Sequence, residues 1–247
     1  MSNCLFVLID PALDGATNMA RDEHLLYSSR FVPAALRVYA WSPPTISLGY
    51  FQRFADVGAL PADVRDLAVV RRTTGGGAIL HDREITYCLV VSDALPIARE
   101  APIALYRLIH ERWRKVLHAG GVAAELAADH LPLPTPRTGP FFCFEKPGRT
   151  DLVMGGGKLL GSAQRRIPGR VLQHGSLLLE QRFTSHPGVP AGASEQKRIE
   201  AWIQQFADGV AADLNLARQD AGWASDELVD IDARRARYVG EEWNRLR

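Results

Sequence analysis

"DLVMGGGKLLGSAQRRIPGRVLQHGSLLL" runs from Asp151 to Leu179. The glycines at 155–157 and the tripeptide Ile167-Pro168-Gly169 divide it into three segments: Asp151–Met154, Lys158–Arg166 and Arg170–Leu179. Glycine runs and Pro-Gly pairs reverse a chain, so this spacing predicts an antiparallel meander. Further strands are expected upstream at Leu5–Ile9, Leu36–Trp41, Thr45–Tyr50, Leu67–Arg72 and Ile85–Val91. The second and third of these flank a Ser42-Pro43-Pro44 turn. Ile85–Val91 alternates poorly and reads as a strand buried on both faces. Helices are expected at Thr17–Ser29, with Thr17 or Asn18 as N-cap, and at Ile103–His118. In the latter, Leu105, Leu108, Ile109, Trp113 and Leu117 recur at helical spacing. Glu195–Leu214 is amphipathic, and Glu227–Arg247 is a mostly polar helix. Helices inserted singly among many strands, with no regular βα alternation, point to the α+β class. The expectation is one domain over residues 1–247, with a mixed, mostly antiparallel β-sheet flanked by helices and the helical segment 195–247 packed on it.

The composition fits this picture. Among 247 residues, 47% are hydrophobic and 23% charged, an ordinary globular balance with enough chain to build a core without disulfides. Cys4, Cys88 and Cys143 are odd in number and far apart. They argue against a disulfide framework and for a reducing, cytoplasmic setting. No Cys-x-x-Cys pair or His-rich cluster occurs, so no metal site is expected. The short apolar run at Cys4–Ile9 reads as a first strand rather than a leader. No apolar stretch approaches the roughly 20 residues of a membrane span, and a net charge of +1 gives no bias towards nucleic acid. The two standard phosphate loops, GxGxxG and GxxxxGK[ST], are absent.

Three stretches could carry chemistry. In "RRTTGGGAILHDREITYCLVV", Arg71 to Val91, two arginines lead into Gly75-Gly76-Gly77. Glycine lets backbone N–H groups approach a ligand closely, and arginine can neutralise an acidic group. The same run is also compatible with a hairpin turn flanked by solvated arginines. Lys158 lies between Gly155-Gly156-Gly157 and Gly161-Ser162-Ala163, and His174 precedes Gly175. An isolated lysine is ordinarily a solvated group, but small residues on both sides leave room for a ligand. Cys143 sits in "PFFCFEKPG". It is either an inert thiol among aromatic residues or, if the fold brings a cation such as Lys158 beside it, a nucleophile. Leu131–Pro140, with four prolines, reads as a surface loop, and 131–142 as a candidate lid.

Taken together these segments resemble the lipoate–protein ligase and octanoyltransferase superfamily, whose catalytic domain is related to that of biotin–protein ligase. "NMARDEHLL" resembles the family's first helix and "PPTISLGYFQ" its proline, strand, glycine and glutamine segment. "RRTTGGGAILHD" resembles its central signature. "DLVMGGGKLLGSAQRRIPGRVLQHGSLLL" resembles its lysine, Gly-Ser-Ala-Gln-Arg and His-Gly signature, and "YVGEEWN" its C-terminal element. The resemblance implies a biotin/lipoate protein ligase-like fold. It implies that Arg72, Gly75, Gly76, Gly77 and His81 lie along an acyl group and that Lys158 reaches its carbonyl region. It places Gly161, Ser162 and Ala163 along the same channel, with His174 and Gly175 as a second wall.

Three chemistries are known on such a scaffold: ATP-dependent ligation through an acyl-adenylate, octanoyl transfer from acyl carrier protein through a cysteine thioester, and acyl transfer between lipoyl domains. "CFEKPGRTDLV" resembles the cysteine segment of the octanoyltransferases that look ligase-like in sequence, which favours transfer through Cys143 assisted by Lys158. Asp151, in a Gly-Arg-x-Asp arrangement, resembles ligases as much. The resemblance therefore implies octanoyl-acyl carrier protein as donor. As acceptor it implies a lipoyl domain of 2-oxoacid dehydrogenases or the glycine cleavage H protein, with no cofactor; the protein is expected to be a monomer. The ligase alternative requires ATP and Mg2+, and a non-catalytic binding paralogue stays open. Arg71, Arg165, Arg166 and Arg170 are expected to meet an acidic acceptor surface.

Overall fold

In the computed structural model, which describes residues 3–130 and 140–247, the chain runs through β1 (Cys4–Leu13), α1 (Gly15–Tyr27), β2 (Ala34–Trp41), β3 (Thr45–Leu48), β4 (Ala68–Arg71), β5 (Ile79–His81) and β6 (Glu84–Ser92). It continues through α2 (Pro102–Ala119), β7 (Glu125–Leu126), β8 (Leu152–Met154), β9 (Gly157–Ile167), β10 (Arg170–Leu178), α3 (Gln196–Asp213), β11 (Ala217–Asp220), α4 (Ser225–Val239) and α5 (Glu241–Asn244). The main sheet has the order β11-β1-β2-β6-β10-β9-β8-β7. β1 is parallel to both β11 and β2, and the other pairings are antiparallel. β3 forms a small second sheet between a parallel β4 and an antiparallel β5. The mixed sheet with flanking helices is the architecture expected from the sequence.

The expected meander is β8-β9-β10. Gly155 and Gly156 have φ of +57° and +83°, and Gly169 +79°, so the turns use backbone conformations that favour glycine. β6 is buried along its whole length. Its odd-numbered residues Ile85, Tyr87, Leu89 and Val91 pack under α2 and α3, while Cys88 and Val90 face α1 and α4. On the first face Trp113 of α2 stacks on Phe206 of α3, ring centroids 4.0 Å apart. α2 opens on Pro102, where the missing N–H costs nothing, and its buried residues Leu105, Ile109, Trp113 and Leu117 follow the apolar stripe read from sequence.

Several expectations need correction. α1 is capped by Asp14, whose side chain accepts from the Thr17 backbone N–H, not by Thr17 or Asn18. The C-terminal helix is two helices, α4 and α5, broken at Gly240. Arg71 cannot meet a partner. It is fully buried, its guanidinium donating to the carbonyls of Gly49, Tyr50, Gln52 and Asn244. Residues 131–139 of the suggested lid lie outside the described residues. Among the described residues no helix is long and apolar enough to cross a membrane.

Candidate active site

The glycine run and the Cys143 segment are joined backbone to backbone. The Ala78 N–H donates to the Phe141 carbonyl at 2.7 Å, and the Cys143 N–H donates to the Ala78 carbonyl at 2.8 Å. A Cβ on Gly77 would stand 2.9 Å from the Cys143 nitrogen and 3.0 Å from the Phe141 oxygen, so any side chain there would push the two strands of chain apart. What lies against this backbone is therefore the cysteine's own segment, which starts a short 3-10 turn at Cys143–Glu145.

β9 brings the amine to the thiol. Lys158 is buried, and its Nζ lies 3.1 Å from Cys143 Sγ, 3.1 Å from the Cys143 carbonyl oxygen and 2.7 Å from Asp151 Oδ2. Burial by itself would push the ammonium towards its neutral form. The Asp151 carboxylate outweighs that, with the Cys143 sulfur adding to it, and Lys158 is held above its ordinary range. Gly161 leaves the passage for the lysine chain: a Cβ there would sit 2.2 Å from Lys158 Cε.

Arg72, just past the end of β4, is buried and holds the glycine loop. Its Nη2 donates to the carbonyls of Gly75 and Gly77, both at 2.7 Å, and its Nη1 to the Ser47 carbonyl. Burial pulls this guanidinium down to about 10, opposed chiefly by Cys143. His81 is also buried. It contacts Glu84 at 2.6 Å and the Ser47 hydroxyl at 2.7 Å and stacks on Trp41 at 3.8 Å. Burial lowers its pKa despite Glu84. His174 bridges Thr74 Oγ1 at 2.7 Å and Asp22 Oδ2 at 3.1 Å. Asp22 in turn accepts from Arg37 and Tyr39. Arg72, His81, His174 and Gly175 line one narrow cleft with Met19 and Trp41.

The expected residues therefore converge, with one exception. Ala163 faces His174 across the β9–β10 ladder, but the Ser162 hydroxyl turns to the other face of the sheet, 2.6 Å from Tyr87 Oη and 2.6 Å from His110 Nε2. It does not line the channel with Gly161. Sequence reading also passed over Asp22, Thr74, Trp41 and His110. The available signal for His110 was a polar residue beside Ile109 within the apolar stripe of α2.

A profile of the lipoyl protein ligase A/B catalytic domain matches residues 14–222. The chain belongs to the lipoyl protein ligase A/B catalytic-domain family. Within it, the chain is 34% identical to octanoyltransferase LipM of Kyrpidia tusciae, covering 93% of this chain and 94% of that protein. It is 31% identical to octanoyltransferase LipM of Bacillus subtilis, covering 93% of each. Protein Ta0514 of T. acidophilum shares the fold at a TM-score of 0.77 and 21% identity, with both chains fully covered. A lipoate-protein ligase A solved with bound ATP does so at 0.75 and 20%, with 99% of each chain covered. The family's fold accounts for the mixed sheet flanked by helices.

Proposed function

We propose that the chain is an octanoyltransferase that carries an octanoyl or lipoyl group on Cys143 and passes it to a lysine of a lipoyl domain. The observation that carries this reading is the 3.1 Å approach of a buried ammonium to a thiol. Likeness to LipM proteins over nearly the whole chain supports it. The Lys158 ammonium stands within hydrogen-bond reach of the sulfur. The thiolate attacks the carbonyl of an acyl thioester. One C–S bond forms, the carrier's C–S bond breaks, and the carrier thiolate takes a proton from solvent. The acceptor's neutral amine then attacks the Cys143 thioester; an amide forms, Cys143 leaves as thiolate, and the amine's proton passes to solvent. Lys158, paired with Asp151, faces the carbonyl oxygen as it turns negative. Arg72, Gly75, Gly76, Gly77, His81, Gly161, Ala163, His174 and Gly175 shape the acyl channel.

The donor is octanoyl-acyl carrier protein, and the acceptor a lipoyl domain of a 2-oxoacid dehydrogenase or a glycine cleavage H protein. The reaction requires no ATP or Mg2+, and residues 1–247 act as one cytoplasmic, monomeric catalytic unit. The test is to incubate the protein with octanoyl-acyl carrier protein and an apo lipoyl domain without ATP and weigh the products. Octanoyl transfer, with an adduct of octanoyl mass that Cys143→Ala abolishes, is the expected result. Transfer only from free acid with ATP and Mg2+ selects the adenylating ligase. Binding without turnover selects a non-catalytic paralogue.

A further inference from the structure

His110 is fully buried, lies on α2, and has no part in the acyl channel. Its Nδ1 meets the Thr150 carbonyl, and its Nε2 lies 2.6 Å from the Ser162 hydroxyl. A carbonyl only accepts, so Nδ1 carries the proton. With the ring neutral, Nε2 accepts from Ser162. The direction then propagates. Ser162 accepts from Tyr87 Oη at 2.6 Å, and Tyr87 accepts from Gln173 Nε2 at 2.8 Å. The Gln173 amide oxygen accepts from Gln164 Nε2 at 2.8 Å. Every donor in this chain, which crosses β9, β10 and β6 into α2, points towards Thr150. Burial lowers the His110 pKa and agrees with a neutral ring.

The two ends that His110 joins are the neighbours of the reactive pair. Thr150 precedes Asp151, the carboxylate on Lys158; Ser162 follows Gly161, over which the lysine chain lies. We propose that His110 is a positioning residue: by donating from Nδ1 to the Thr150 carbonyl, with its ring oriented by Ser162, it sets the geometry in which Asp151 holds the Lys158 ammonium against Cys143. The proposal rests on the thioester reading for its effect on turnover, but not for its effect on the thiol.

Two substitutions separate the ring's two bonds. The Asn amide nitrogen falls near the imidazole Nδ1 position and that of Gln near Nε2. H110N therefore keeps a donor for Thr150, whereas H110Q keeps only the link to Ser162. For H110Q the expected result is a kcat for octanoyl transfer about tenfold lower, with KM for octanoyl-acyl carrier protein within about twofold. The rate of Cys143 alkylation by iodoacetamide at pH 7, divided by its rate at pH 10, should fall about threefold. H110N should stay near the parent on both readouts, even if urea unfolding shows the two variants equally destabilised. Equal behaviour of H110N and H110Q in kcat and in the alkylation ratio overturns the proposal. If no thioester forms at all, the octanoyltransferase reading falls while the alkylation contrast still decides the role of His110.

Discussion

Gly161 shows why a single missing methyl group matters. With Lys158 Cε only 2.2 Å from the place of its Cβ, Gly161→Ala displaces a flexible side chain rather than backbone. The fold should survive and the thermal midpoint should move little. Transfer should drop on the order of 100-fold because the ammonium loses its seat beside the sulfur; unchanged kcat would refute that placement. Lys158→Met should behave differently. It leaves the Asp151 carboxylate buried and unpaired, which costs about 3 kcal/mol in urea unfolding in addition to activity. At this scale the glycines, Lys158, Cys143 and His174 were legible because their residue types are unusual for where they stand. Arg71 was misread as a surface cation because nothing local announces that four backbone carbonyls await it. Ser162 was misread because adjacent residues on a strand face opposite ways, and only the ladder register tells which.

Elements were legible where pattern and burial coincide. The β9–β10 hairpin has turn glycines, and α2 has its apolar stripe. β11 was missed: Ala-Arg-Gln-Asp is a short edge strand with mostly exposed side chains, so pairing with β1 leaves no hydrophobic alternation. Asn244, beside Trp243, is one of the side chains that tie α5 to β4. Asn244 Oδ1 accepts from the Arg71 backbone N–H and its Nδ2 donates to the Tyr238 carbonyl, both at 2.8 Å. Asn244→Ala leaves both buried partners unsatisfied and should cost about 2 kcal/mol, with faster amide exchange in α5 and β4. Exchange unchanged there would mean that the rest of α5 holds without it. Trp113→Ala, which removes the ring stacked on Phe206, should cost about 4 kcal/mol in urea unfolding and leave the thiol–amine distance intact.

Across the whole molecule, buried ionisable groups set the response to acid. His81 and His110 are both pushed below the ordinary value of 6.5 by burial. As pH falls through 6.5 the unfolded chain takes up protons that the folded chain refuses, so stability declines by up to about 1.4 kcal/mol per pH unit for each ring. Asp10 and Asp22 add a second decline below their ordinary 3.8. Burial opposes their ionisation, but Arg37, and for Asp22 also His174, hold both carboxylates below that value. Urea midpoints should therefore fall between pH 7.5 and 5.5 and again below pH 4. A flat profile between 7.5 and 5.5 would show that both histidines titrate normally.

An ammonium has three hydrogens, and on Lys158 each already faces an acceptor: the Asp151 oxygen, the Cys143 sulfur and the Cys143 carbonyl. A fourth guest, the oxygen of an arriving acyl group, must evict one of them. Of the three, the sulfur alone loses its grip once it bonds to carbon. On the proposed thioester route, acylation vacates a place for the oxygen and deacylation reclaims it, so the order of events in that cycle would be written into the valence of one nitrogen.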